Sequence, residues 1–290
     1  MKVKFITCIY SDLYGTEFGG RPGRFGHYRW SLLSLLKMTD ADFTCYTSER
    51  ELESLKEFFY NGYNISPDRL EFKLFDITKT RHAENLYKIK KVSEIQKGDR
   101  CLEIQYLKFE WFDHEDGSYD YYYWIDAGLS HVGLFPNRYL TSTHLEQRYY
   151  ECSLFNNSFL KQLIEFTDDK FFMIGKDNER NYWSGTVDPK WYTKYDRSIH
   201  VIGGLFGGHV SKWRKIVDLF DDYLTKIMTE DNDHPYEELI MSLMSVNHPE
   251  LFNKKFFDTW WSENSGVKGL PDNYYEINKS FYKIFEELNQ

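Results

Sequence analysis

The stretch Tyr121-Tyr122-Tyr123-Trp124-Ile125-Asp126-Ala127-Gly128 constrains this chain more than any other. Aromatic and β-branched residues suit a pleated, buried surface, so the run predicts a buried strand. It stops at one carboxylate, one small residue and one glycine, which places Asp126 at the carboxyl end of that strand. Ligands of open α/β sheets bind at that end. A carboxylate there can hold a divalent cation or a ribose hydroxyl, and Gly128 lets a ligand approach the backbone. The plainer alternative is an Asp that caps the next turn.

The segments upstream predict the kind of sheet this strand joins. Lys2 to Tyr10 reads as a first strand, followed by a glycine-studded loop from Ser11 to Gly26. Tyr28 to Met38 carries an apolar helical face, and Asp42 to Thr47 is a second strand. Ser48 with Glu51 forms a capping-box pattern that opens a helix through about Phe59. Leu70 to Phe75 is a third strand. This β-loop-α-β-α-β order predicts an α/β fold with a mostly parallel central sheet flanked by helices and a Rossmann-like N-terminal half.

Downstream, Cys101 to Phe112 reads as a helix that turns at Asp116-Gly117 into the Tyr121 strand. Phe155 to Phe166, Ser211 to Met228, Tyr236 to Val246 and Tyr282 to Leu288 read as helices, and Lys170 to Ile174 as a strand. No internal repeat or Pro/Ser-rich linker interrupts the chain. A single domain over 1–290 is expected, with about 1–130 binding a nucleotide and about 131–290 shaping the acceptor side.

Bulk composition narrows the function classes. The 290 residues are 41% hydrophobic, enough for a sizeable core. A formal net charge of −9 argues against broad nucleic-acid binding through phosphate neutralisation. Cys8, Cys45, Cys101 and Cys152 are scattered without a Cys-x-x-Cys pair, which argues against structural zinc and thioredoxin chemistry. The N-terminus runs directly into a strand, without signal-peptide character, and no apolar stretch is long enough to cross a bilayer. A reducing cytoplasm is the expected compartment. The sequence carries no clear oligomer signal.

Five groups of residues carry candidate chemistry. The first loop holds Phe18-Gly19-Gly20-Arg21-Pro22-Gly23-Arg24, whose glycines permit close backbone approach while Arg21 and Arg24 can fork onto phosphate oxygens. It matches neither a Walker A loop nor a Gly-x-Gly-x-x-Gly fingerprint, and the alternative is a surface loop with solvated arginines. On the Cys101 helix, an inward Lys108 would contact phosphate, whereas an outward one would be solvated. Asp126, with Ser130 and His131 after it, can contribute to a Mg²⁺ or Mn²⁺ site, but one carboxylate is too few. His209 or His248 could complete it, although a lone His is more often structural.

Ile202-Gly203-Gly204-Leu205-Phe206-Gly207-Gly208-His209 places four glycines in six positions, which implies a required conformation or a required gap. A sugar ring lying against bare backbone is one cause, and a tight strand-to-helix turn is the other. Asp231 to Glu238 precedes an apolar helix. Pro235 and the acids there suit a first helical turn, or Glu237 or Glu238 reaches the site as a base or sugar ligand.

Three of these motifs, Glu103-Ile104-Gln105 with Lys108, Trp124 to Ser130, and Gly203 to Gly208, resemble in order and spacing the HtrL/YibB-like family of bacterial glycosyltransferases with a GT-A-type fold. The resemblance spans the middle of the chain. It implies one α/β domain that binds a nucleotide-diphosphate sugar beside the central sheet and transfers the sugar to a hydroxyl acceptor, in lipopolysaccharide, capsule or similar surface glycan synthesis. It implies Asp126, Glu237 and Glu238 as catalytic candidates. Arg21, Arg24, Lys108, Asp126, Gly128, Gly203 and Gly204 are the donor-binding candidates, with Mn²⁺ or Mg²⁺ at Asp126 and His209. An Asp-x-Asp motif commonly holds the metal and ribose in such folds, and Asp126-Ala127-Gly128 lacks the second acid. The alternatives are a non-catalytic carbohydrate- or nucleotide-binding protein of the same fold and, against the charge balance, a phage DNA-modifying glycosyltransferase.

Overall fold

A computed structural model describes residues 1–10, 24–89, 102–127, 157–176 and 201–257. Among these, seven strands form one sheet in the order β3-β2-β1-β4-β6-β5-β7. The strands are β1 (Val3–Cys8), β2 (Asp42–Thr47), β3 (Leu70–Leu74), β4 (Tyr121–Ile125), β5 (Phe171–Lys176), β6 (Val201–His209) and β7 (Phe252–Phe257). The pairs β1–β2, β1–β4, β2–β3 and β5–β7 are parallel, and β6 runs antiparallel to both β4 and β5. The mostly parallel α/β sheet expected from the sequence is therefore present, with one reversed strand inserted beside β4.

Side-chain alternation along the strands builds two cores, one on each face. Ile6, Tyr46, Tyr122, Trp124, Phe171 and Phe206 face one way. They pack under α4 (Leu102–Glu110), α6 (Val210–Glu230) and α7 (Glu237–Asn247). Phe5, Phe43, Tyr123, Phe172 and Leu205 face the other way. They pack under α1 (Arg24–Met38), α2 (Glu49–Lys56) and α5 (Asn157–Thr167). A short α3 (Ala83–Ile89) adds Leu86 to the first core.

Local departures from the sequence reading have physical causes. Ser48 does not cap α2 through its backbone amides, because its hydroxyl bonds the Glu51 carboxylate instead. The helix then widens into a π-turn over Glu57–Gly62. β6, β7 and α3 were not expected. Asn253, Lys254 and Lys255 interrupt the apolar run of β7, the polar character of an edge strand.

The second glycine pair lies inside a strand and not in a turn. A Cβ on Gly207 would come within 2.4 Å of the Tyr122 carbonyl and 2.5 Å of the Tyr123 ring, and one on Gly208 within 3.0 Å of the Lys170 carbonyl. β6 lies so close to its neighbours that side chains do not fit there. Gly207→Ala is expected to destabilise the protein by about 3 kcal/mol, through overpacking against backbone that cannot move away. Urea unfolding of the variant checks this, and an unchanged midpoint would contradict it.

Candidate functional site

The sheet order reverses between β1 and β4: β2 and β3 lie to one side of β1, and β4 lies to the other. A crevice forms outside the strand ends at such a switch. Parallel pairing brings the carboxyl ends of β1 and β4 side by side, with Ile6 level with Trp124. Asp126 follows β4 directly, and its amide donates to the Gly204 carbonyl at 2.9 Å. Its side chain is 39% exposed, so it stands at the boundary between the interior and solvent at that end of the sheet.

Asp126 is held from below. Trp124 Nε1 donates to Asp126 Oδ1 at 2.8 Å, and Lys108 Nζ lies 3.1 Å from the same oxygen. No described residue hydrogen-bonds the other oxygen, Oδ2. Lys108 also donates to Glu237 Oε1 at 2.7 Å and to the Gly203 carbonyl at 3.0 Å. Three oxygens thus surround a group with three N–H donors. The Lys108 side chain is only 8% exposed, and its ammonium lies 5.4 Å from the centre of the Trp124 ring. Burial pulls its pKa down, but the facing carboxylates of Asp126 and Glu237 push it up by more, and the net shift is upward. Lys108 is a fixed cation.

Helix α4 can carry a lysine inward because every one of its nine residues is buried. Each polar side chain on it has an internal partner. Glu103 accepts from the Tyr87 hydroxyl, Gln105 from the Glu237 amide, and Glu110 from the Thr80 hydroxyl and the Arg81 amide. A contact between Lys108 and phosphate, as the sequence suggested, would require it to leave one of its three oxygens.

Gly203, in the first glycine pair, is explained by the same cluster. The pairing of β5 with β6 jumps from Met173–Phe206 to Ile174–Ile202, so Gly203 to Leu205 leave the β5 register. An unpaired buried peptide is costly, and side chains take over here. The Gly203 amide donates to Glu238 Oε1 at 3.1 Å, and its carbonyl accepts from Lys108. A Cβ on Gly203 would lie 2.6 Å from Glu237 Oε1. The gap left by Gly203 is therefore filled by the Glu237 carboxylate and not by a sugar. Glu237 and Glu238 are both buried at the start of α7, where they complement the helix dipole as well as gripping β6.

The other candidates fall elsewhere. Arg21, Gly128, Ser130 and His131 lie outside the described residues, and of Arg24 only the backbone is described, at the first position of α1. His209 is removed from Asp126: it pairs with Tyr121 at the opposite end of β4, roughly 17 Å away at about 3.4 Å per residue. Its ring accepts from the Ser211 amide and caps α6. His248 caps the far end of α7 and contacts Tyr223. The pairing of Asp126 with either histidine in one metal site is thus corrected: the His209 ring caps α6, and His248 ends α7 through its backbone amide while its ring meets Tyr223.

Two members of the site were missed in the sequence. Trp124 reads there as core, although a residue two positions before a strand-end acid points to the same face. Cys8 ends β1 on the same side. Burial first, then Cys45 and Asp126, push its thiol well above the usual range, while Lys108 opposes this, and the thiol stays neutral.

The donor set fits a divalent metal poorly. Among the described residues no group of three or more His, Cys, Asp or Glu side chains is arranged to hold one. Asp126 Oδ1 already faces an indole N–H and an ammonium. Charges of +2 and +1 about 4 Å apart repel by roughly 8 kcal/mol at an effective dielectric of 20.

No protein-family model matches the sequence, and no curated protein matches it, so the HtrL/YibB-like reading stays a resemblance of motifs. Among solved structures, the chain is similar to mouse xyloside xylosyltransferase 1 in its apo form. The TM-score is 0.52 at 11% identity, over 96% of this chain and 94% of that one. It also aligns with 4-diphosphocytidyl-2C-methyl-D-erythritol synthase from Anaerococcus prevotii at 12% identity, over 97% and 96% of the two chains. The TM-score there is 0.44, below what a shared fold requires. The fold is GT-A-like. No helix among the described residues is long and apolar enough to cross a membrane.

Lys108→Met is expected to cost about 3–5 kcal/mol, because it leaves the Glu237 carboxylate buried without its cation. The pKa of Lys108 is raised above its unfolded value of about 10.4. Its contribution is therefore fully present below that pH and is lost only as pH rises through the higher folded value. The stability gap between wild type and Lys108→Met, measured by urea unfolding, is expected not to narrow as pH rises from about 6 to about 9. A gap that closes as pH rises through that window would show that Lys108 is not the cation described.

Proposed function

We propose that this chain is a nucleotide-sugar-dependent glycosyltransferase, a single domain that moves a sugar from a nucleotide-diphosphate donor to a hydroxyl acceptor in surface glycan synthesis. The observation that carries this is the position of Asp126. It is a half-exposed carboxylate at the carboxyl end of β4, at the switch point of a GT-A-like sheet, and it is held rigid by Lys108 and Trp124. Such preorganisation is what a group needs if it is to position a reacting sugar. Asp126 receives hydroxyls of the ribose or the transferred sugar. Glu237 and Glu238 act at one remove, by fixing Lys108 and the Gly203 peptide. Arg21 and Arg24 of the first loop offset charge on the departing diphosphate.

A second reading, a binding protein that does not turn its ligand over, has one observation in its favour. The strand-end motif has a single acid, and that acid already has two protein partners.

A thermal-shift plate of nucleotide sugars separates the readings. A ligand that binds the folded state raises the melting temperature by mass action. The glycosyltransferase reading expects one donor class to do so and to be hydrolysed or transferred. Stabilisation without turnover of any donor favours the binding protein, and no response to any nucleotide sugar removes both. For the donor that responds, Asp126→Asn is expected to keep the wild-type melting temperature within a few degrees. Its turnover is expected to fall by about 100-fold or more. Equal turnover would take Asp126 out of the reaction.

A further inference from the structure

GT-A-type glycosyltransferases commonly bring a divalent cation to the acid at this strand end. The atoms around Asp126 argue for a different device. Oδ1 accepts from Trp124 Nε1 at 2.8 Å and faces Lys108 Nζ at 3.1 Å. The ammonium cannot withdraw easily, since Glu237 and the Gly203 carbonyl hold it at 2.7 and 3.0 Å in a buried position. A dication at Oδ1 would have to displace the indole and tolerate a fixed positive charge across the same oxygen. Oδ2, on a partly exposed side chain, takes no hydrogen bond from a described residue. A carboxylate with one oxygen neutralised and the other outward is suited to receive a hydroxyl. Lys108 offsets part of its charge, since the same ammonium is shared with Glu237.

We propose that Lys108 stands where a divalent cation would otherwise stand, that Asp126 ligates no metal ion, and that the nucleoside diphosphate is bound here without one. The identity of the ligand rests on the glycosyltransferase reading, whereas the statement about the metal does not.

Two measurements on the full chain, dialysed against EDTA, test this. In the first, free Mn²⁺ is followed by electron paramagnetic resonance as Mn²⁺ is titrated into wild type, Asp126→Asn and Asp126→Ser. At this half-exposed position at least one of the two is expected to retain the wild-type near-ultraviolet circular dichroism, and that one is compared. Mn²⁺ affinity equal within threefold, including no binding by either protein, supports the proposal. A loss of tenfold or more in the variant overturns it. In the second, UDP, GDP, ADP and CDP are titrated calorimetrically in EDTA and again with Mn²⁺. The expected result is that one of them binds in EDTA and that Asp126→Asn weakens it about tenfold. Binding by wild type only when Mn²⁺ is present overturns the proposal. If no nucleotide binds under either condition, the glycosyltransferase reading fails, and the resonance comparison alone decides whether Asp126 holds a metal.

Discussion

The ammonium of Lys108 joins the parts of this molecule that matter for function. It touches the acid after β4, the first turn of α7 and the irregular part of β6, so three segments distant in sequence share one charge. A buried ion pair is not in itself a source of stability, because desolvation opposes the Coulomb attraction. Its use here is specificity of arrangement. With Glu237 on one side and the Gly203 carbonyl on another, the third direction of the ammonium fixes where Asp126 stands. The indole of Trp124 then fixes which oxygen is turned inward.

The irregularity in β6 follows from the same demand. A regular ladder would tie Gly203 to β5. Instead the strand slips out of register there, and its peptide is handed to Lys108 and Glu238. Glycine is needed because a carboxylate occupies the volume of a Cβ. The same strand needs glycine again at its other end for an unrelated reason, the pressure of β4 and β5 on either side. Gly203 and the second glycine pair thus answer two constraints, one polar and one steric.

Much of the architecture was legible in the sequence. β2 spans the residues its composition marks, and β1, β3, β4 and β5 lie within about two residues of their apolar runs, because buried strands carry a dense β-branched and aromatic signal. β6 was not legible as a strand, because its four glycines point to a gap or a turn, and its antiparallel direction leaves no mark in the sequence. β7 was hidden by its two lysines, and α3 by its brevity. At the site, Asp126 could be found because a carboxylate ending an aromatic strand is conspicuous. The inward aim of Lys108 could not, because α4 is buried on every side and shows no polar face by which to orient it. His209 looked like a ligand only while its helix cap was unseen.

The spacing of these contacts also bears on how the chain reaches its native state. Lys108 meets Gly203 and Glu237 across separations of 95 and 129 residues. Contacts that long close large loops, whose entropy must be overcome before the contact gives anything back. The parallel trio β1, β2 and β3 involves only nearer neighbours and can assemble while the second half is still being synthesised. Until β6 and α7 arrive, the lysine and the strand-end acid have no enclosing walls, and water solvates both. The crevice is therefore among the last features to acquire its final electrostatic character, and a ribosome-bound fragment ending before residue 237 would present the sheet without the field that defines the site.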